Sequence, residues 1–441
     1  MFLRKFVLFT IVFLGIFSTA IYAEELALDP NLKNLRLSGF LRTRYWSYFS
    51  ESAIDKYDPS KGPKPYEQAD YMDLFFRSRF HLLVNRIVSL HSVFDIGTLH
   101  LGQTSDTRLG TGGINLKTRN LYMNFRWMKG SPDGIIRIGL MPFSLPRGHI
   151  LAKDAAGIKI EHRFAHGKVR PYFYFIKAVE NSLPNADKFG DFENHNFNDA
   201  NIYIIGNKFA IGQSFDGEVY YTLLDDKNNG LEDTPPMQRP KLLHWIGLDS
   251  RFQFGTYELG FSAIGNFGTI HVLSGSQSVR REIQAGLGEI SISKQWTDFS
   301  LSLVSVAATG DPSDEEAKDS FQSIGASYGL SKIAVDNSGG LSLRSSGKMY
   351  GLNGNGIEGE AVFLGTLSLK LSYYYYLTLR DFIGRKYGQE FNFETTYLLL
   401  EKIKFFGSFA MFFPDTGYTT LQNYYKKQPI YEIMFGAQTN Y

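Results

Sequence analysis

Arg77 and Arg79 stand two residues apart in a segment whose even-numbered positions are mostly apolar, and Arg42 and Arg44 repeat that spacing. Side chains two apart share one face of a β-strand, so each pair would put its cations on a single face. Arg36, Arg42, Arg44, Arg77, Arg79, Arg126, Arg137, Lys159, Arg163 and Arg170 form such a set in the first half of the chain. Glu258, Glu289, Glu358, Glu360, Glu390, Glu394 and Glu432 form an acidic counterpart in the second half. Residues of these types can do electrostatic work. If strands follow one another around a closed wall, a basic side faces an acidic side, and a transverse field between them orients charged or dipolar solutes. The plainer reading is local pairing that keeps a wet interior stable, with Asp73 beside Arg77 and Glu161 between Lys159 and Arg163.

Covalent chemistry finds no support. The nine His are scattered, with His81 and His91 on charged faces and His195 in a loop, and neither a Gly-x-Ser-x-Gly elbow nor a His-Glu-x-x-His pair occurs. Asp225 to Gly230 begins like a calcium loop, but Lys227 takes a ligand position and Pro236 stands where a bidentate Glu is needed. Asp311, Asp314, Glu315, Glu316 and Asp319 read as a solvated loop. Gly354-Asn355-Gly356 lacks the strand-then-helix setting of a phosphate cradle. The sequence therefore implies no enzyme, metal or cofactor.

Composition narrows the class further. The chain has 441 residues, no Cys, 43 Gly, 15% aromatic residues and a formal charge of +2. A disulfide scaffold or thiolate metal site is excluded, the charge gives no footprint for nucleic acid, and the aromatic content opposes disorder. Arg4 and Lys5 precede an apolar run, Phe6 to Phe17, and then small residues up to Ala23, which reads as a secretory signal peptide over 1–23. Removing Arg4 and Lys5 leaves equal numbers of basic and acidic residues over 24–441, read as one domain.

What must position the charged rows is a set of long strands. From Met72 to Val84 the even row is Met72, Leu74, Phe76, Ser78, Phe80, Leu82 and Val84, and the odd row carries Asp73, Arg77, Arg79 and His81. The same alternation marks Leu35 to Arg42, Asn120 to Trp127 and Leu367 to Tyr376. Such segments exceed the ~5–6 residues of an average globular strand and suit a tilted crossing of a bilayer. Short turns are expected at Asn85-Arg86, Lys129 to Gly134, Ala165 to Lys168, Ile211 to Gly217, Phe254 to Thr256, Lys294 to Asp298, Leu364 to Thr366 and Glu401-Lys402. Long loops are expected at Glu51 to Asp70, Gly102 to Asn115, Pro142 to Asp154, Val179 to Asp199, Asp225 to Pro240, Asn266 to Arg281, Gly310 to Asn355, Asp381 to Tyr387 and Pro414 to Gln428. Short turns at one rim and long loops at the other are the pattern of a transmembrane antiparallel up-and-down β-barrel of about 18 strands. Trp127, Trp245, Trp296, Tyr373 to Tyr376 and Tyr441 are candidates for interface girdles, and Tyr122, Tyr172 and Tyr174 face inward, where packing is the plain role and sugar stacking the sharper one.

The final strand places Tyr431, Ile433, Phe435, Ala437, Thr439 and Tyr441 on one face. It resembles the C-terminal strand recognised by the barrel-insertion machinery of Gram-negative outer membranes. Ile136 to Phe143, followed by Arg147-Gly148 and Asp154 to Lys159, resembles the strand, inward loop and return strand of alginate-export outer-membrane porins. Gly388 to Phe393 through Phe412 to Tyr418 is similar to the penultimate hairpin of that family. The resemblance implies an eighteen-stranded barrel in the outer membrane, bounded by lipid, with an inward constriction loop. Pro142, Arg147, Gly148, Lys153 and Asp154 are its candidate residues, Pro142 and Pro146 giving stiffness and Gly148 a close backbone approach. A balanced charge differs from the strongly basic lumen described for alginate exporters, so the expected cargo is broader: small hydrophilic solutes, with weak preference for anions or acidic saccharides, moving down their gradient. The competing reading is a barrel whose long loops serve as adhesin, receptor or scaffold, for which Gly310 to Asn355 is the feature. The sequence defines no oligomeric state.

Overall fold

Val, Ile, Phe, Tyr and Thr are dense in the alternating segments, and these residues fit a pleated surface with two unlike faces. The computed structural model describes residues 34–50, 67–101, 116–127, 134–164, 167–179, 200–226, 241–274, 277–310, 321–324, 327–334, 344–345, 348–349, 351–379, 386–400, 402–417 and 428–441. The signal segment 1–23, His195, the acidic run 311–319 and most residues of the loops expected at 51–70, 102–115, 179–199 and 225–240 lie outside them.

Thirteen consecutive strands come first: β1 (Leu35–Ser50), β2 (Glu67–Leu83), β3 (Val88–Leu101), β4 (Leu116–Arg126), β5 (Gly134–Ser144), β6 (Ala152–His162), β7 (Val169–Val179), β8 (Ala200–Ile211), β9 (Phe215–Asp226), β10 (Lys241–Phe254), β11 (Tyr257–Ser274), β12 (Gln277–Gln295) and β13 (Phe299–Ala308). Three two-residue strands, β14 (Phe321–Gln322), β15 (Arg344–Ser345) and β16 (Lys348–Met349), make a small separate sheet. The wall resumes with β17 (Leu352–Phe363), β18 (Leu367–Thr378), β19 (Lys386–Leu399), β20 (Ile403–Pro414) and β21 (Ile430–Asn440). Each wall strand pairs antiparallel with the next, and β21 pairs with β1, so the 18-stranded sheet is closed. Closure leaves no unpaired edge, the condition for crossing hydrocarbon with strands. Among the described residues no helix is long and apolar enough to cross a membrane.

The seam is locked locally. Gly39 and Tyr441 exchange both backbone hydrogen bonds, at 3.1 and 3.2 Å, and the Tyr441 hydroxyl donates to the Arg77 carbonyl. A Cβ at Gly39 would stand 2.4 Å from the Tyr441 hydroxyl oxygen, so the glycine gives the ring its place.

Where described, the connections follow the expected order, with two corrections. Asn266 to Arg281 is a continued hairpin: β11 and β12 stay paired as far as Ser274 and Gln277. The polar residues there resembled a loop, but hydrogen bonding runs on wherever backbones stay extended and in register. The inward loop is also shorter than expected, because β5 and β6 remain paired to Ser144 and Ala152.

Candidate pore lumen and its inner loops

Register decides which face is inward. Asp73, Arg77, Arg79 and His81 on β2 stand opposite Arg44, Phe40, Ser38 and Arg36 on β1, in one continuous row. The intervening row carries exposed apolar side chains, among them Leu37, Leu82, Leu121, Met123, Ile246 and Leu371. That apolar row is the outer surface.

The charges of β1–β7 pair across strands. Asp73 is fully buried beneath Arg44, which hydrogen-bonds it, and lies 3.9 Å from Arg42. Arg77 binds Asp95 on β3 through two hydrogen bonds of 2.6 and 2.8 Å. Glu161 takes Arg137 at 3.4 Å and the Tyr174 hydroxyl at 2.8 Å. The pairings expected along one strand, Asp73 with Arg77 and Glu161 with Lys159 or Arg163, give way to these. Arg44 with Asp73 and Arg77 with Asp95 are directly opposed on adjacent strands, closer than residues four apart on one strand, and Arg137 reaches Glu161 diagonally. Arg42 and Arg77 lie over the Phe75 ring at 5.1 and 5.2 Å. Arg79 lies 5.9 Å from the Phe40 ring centre, and among the described residues no carboxylate pairs with it. Lys159 sits between Phe143 and Tyr174, 4.7 and 4.8 Å from their ring centres. Tyr172 and Tyr174 stack on each other at 4.6 Å, a packing role, and His81, His91 and Tyr122 form a second stack. Arg36, Arg126, Arg163 and Arg170 are exposed toward the short-turn rim, where Arg170 donates to the Gly167 carbonyl at 2.8 Å.

The acidic half behaves differently. Glu358 accepts from Lys370 and the Tyr374 hydroxyl, both at 2.6 Å, and Glu360 accepts from Ser368 at 2.5 Å. Glu394 pairs with Lys332 at 2.8 Å. Glu390 corrects the expectation of a water-lined carboxylate: it is fully buried. Its two oxygens accept the Ser331 hydroxyl and the backbone N–H groups of Lys332, Ile333 and Ala334, at 2.7 to 2.9 Å. The donors come from the long connection between β13 and β17, part of which therefore lies within the barrel.

Two inner segments thus meet. The first, between β5 and β6, turns at Arg147 and Gly148, both in the left-handed region with φ of 54° and 70°. Arg147 reaches β10 and β12, donating to Asp249 at 2.7 Å and to Glu289. His149, fully buried, places Nε2 2.8 Å from the same Glu289 carboxylate. Left-handed backbone costs a non-glycine residue about 1 kcal/mol or more, and the two ion pairs on Arg147 offset it. Pro142, Lys153 and Asp154 belong to the strands flanking this turn, and Asp154 is tied to Arg119 and Asn120 at 2.7 and 3.0 Å.

The second segment lies against the first. Ile324 and Ser327 donate backbone hydrogen bonds of 3.0 Å to Ile150 and Gly148, and Tyr328 packs 4.1 Å from His149. Trp245 Nε1 donates to the Gln322 carbonyl at 3.0 Å. Leu145, Ile150, Phe321, Leu330 and Ile333 are buried together with inward residues of the wall, including Ile204, Leu243, Trp245 and Leu287. The inward face is therefore not uniformly polar: β7–β12 present an apolar patch that the inner segments cover. Between the second segment and the wall of β17–β21 and β1 lies a cavity of about 450 Å³, lined in part by Arg44, Lys332, Lys370, Glu358, Glu394 and Glu432.

Glu289 was legible in the sequence by its strand phase. Asp249 and Lys370 occupy inward rows that alternation also marks, whereas nothing periodic singles out Lys332. Among the described residues no group of three or more His, Cys, Asp and Glu could hold a metal ion.

No protein-family model matches the chain, and no curated protein matches it. Solved structures of outer-membrane channels do. OpdK (OccK1) of Pseudomonas aeruginosa is 12% identical with a TM-score of 0.59, covering 93% of this chain and 99% of its own. OccAB3 of Acinetobacter baumannii is 12% identical with a TM-score of 0.56, over 92% of this chain and 99% of its own. A BenF-like porin from Pseudomonas fluorescens is 12% identical with a TM-score of 0.56, over 93% and 99%. At this identity the likeness establishes the closed 18-strand barrel fold. The resemblance to alginate-export porins gains no support from any family model.

Proposed function

We propose that this protein is an outer-membrane porin, a passive channel for small hydrophilic solutes with a preference for anions, in the outer membrane of a Gram-negative-type cell. The observation that carries this reading is the asymmetry of the lumen. The inner segments cover the apolar patch of β7–β12 and pack against β17–β20, while the wall of β1–β3 keeps Arg42, Arg44, Arg77 and Arg79 partly or largely exposed. A solvated path bordered by guanidinium groups raises the local concentration of anions and lowers that of cations. Because Asp73 and Asp95 neutralise part of that wall, the preference is weak. One of the similar structures, OpdK, was solved with vanillate; a small carboxylate of that kind suits an Arg-bordered path. The nearly balanced charge of the chain gives no reason to single out a polyuronate.

Loop recognition is the weaker reading, since residues 321–322 and 331–334 of the long β13–β17 connection pack inside the barrel. Liposome swelling with a sugar series tests passage directly. Swelling by small sugars supports the pore, and a barrel that passes none refutes it.

A further inference from the structure

The 450 Å³ cavity beside the second inner segment shares Arg44 with the anion path but differs from it in its carboxylates, which are accessible at Glu358 and Glu394 where Asp73 and Asp95 are buried. Two ion pairs border it. Lys332 Nζ lies 2.8 Å from Glu394, and Lys370 Nζ lies 2.6 Å from Glu358. All four side chains keep between 25% and 33% of their surface accessible, so the pairs are wetted on the cavity side. Trp46 and Met434 add apolar surface to the same lining.

We propose that this cavity is a binding subsite for small zwitterions, solutes carrying one ammonium and one carboxylate on a short apolar body. The proposal rests on the pore reading and names a solute class for it. A lone anion that takes Lys332 from Glu394 leaves a carboxylate unpaired, and a lone amine that takes Glu394 leaves an ammonium unpaired. Each side chain is only 25–33% exposed, so water makes good part of that loss and not all of it. A zwitterion inserted into the pair gives each side chain a new partner and leaves none uncompensated. Because the pairs are partly wetted, opening one costs less than opening a fully buried pair. Lys332 is held for this role through its backbone, because Glu390 accepts its N–H and those of the next two residues. The Trp46 indole and the Met434 thioether supply a surface for the hydrocarbon body.

Single-channel recording of the full barrel in planar bilayers tests this with three probes of matched skeleton at neutral pH: norleucine, hexanoate and hexylamine. The expected result is that norleucine reduces the current at concentrations at least about tenfold lower than either single-charge analogue. Lys332→Met and Glu394→Gln should each weaken the norleucine effect about tenfold, while Lys332→Arg retains it; the loop itself stays anchored because Glu390 holds backbone. Equal action by all three probes overturns the subsite, as does a norleucine effect untouched by both variants. A channel that conducts salt but shows either result leaves the pore reading standing. A barrel that conducts nothing overturns both.

Discussion

The Glu390 carboxylate accepts the backbone N–H of Lys332 at 2.8 Å across 58 residues of sequence, and with three neighbouring donors it fixes an inner segment to the barrel wall. Hydrogen bonds to a charged group contribute about 1.5–3 kcal/mol each, and leaving several buried N–H groups unpaired is costly. Glu390→Ala should therefore release residues 327–334, raising single-channel conductance and current noise. Unchanged conductance and noise would place that segment outside the conducting path.

Arg147 is held by two strands far from its own. Its side chain keeps about 20% exposure and Glu289 about 7%, so breaking the pair should cost about 3 kcal/mol, the lower end for a buried pair. Arg147→Ala and Glu289→Gln should each lower the thermal midpoint in detergent, and the double variant should lose less than the sum, because the two share one interaction. Deleting Phe143 to Leu151 should raise conductance. Strict additivity would mean that the contact carries no coupling.

The guanidinium wall predicts ion selectivity. Under a salt gradient the reversal potential should indicate weak anion preference, and Arg79→Ala together with Arg42→Ala should move it toward zero or into the cation range. A clear cation preference of the unaltered channel would refute this account of the lumen.

Leu371 lies near the middle of β18 on the outward row and is half exposed. Leu371→Arg should cost about 2–4 kcal/mol of barrel stability in bilayers, the range for a cation facing hydrocarbon. Its inward neighbour, exchanged as Lys370→Met, should fold normally. Urea titration of folding into liposomes reads both, and a tolerated arginine would contradict the assigned faces.

At the seam, a Cβ on residue 39 would stand 2.1 Å from the Arg77 carbonyl oxygen and 2.4 Å from the Tyr441 hydroxyl oxygen. Gly39→Val should displace the Tyr441 ring and destabilise the closing pair by about 1–3 kcal/mol. A lower yield of the compact, heat-modifiable band on gels would show it, whereas an unchanged yield would mean that closure tolerates the bulk.

The sequence by itself determined the wall. Met72, Leu74 and Phe76 alternate with Asp73, Phe75 and Arg77 because successive side chains of a strand point to opposite faces, and that period is a local property of the chain. Turn residues such as Asn85, whose side chain accepts the N–H groups of Ile87 and Val88 at 2.8 Å, are local too. Strand number followed from those two signals. Tertiary structure decided the pairing: Asp73 serves Arg44 on β1 and not Arg77 on its own strand, because register sets which charges meet. It also decided what fills the barrel. Trp245 and Ile204 face inward in phase with polar residues, and their burial becomes intelligible only once the inner segments are in place. Those segments follow no period, so the partners of Glu390 and Glu289 emerge only when distant parts of the chain share one enclosed space.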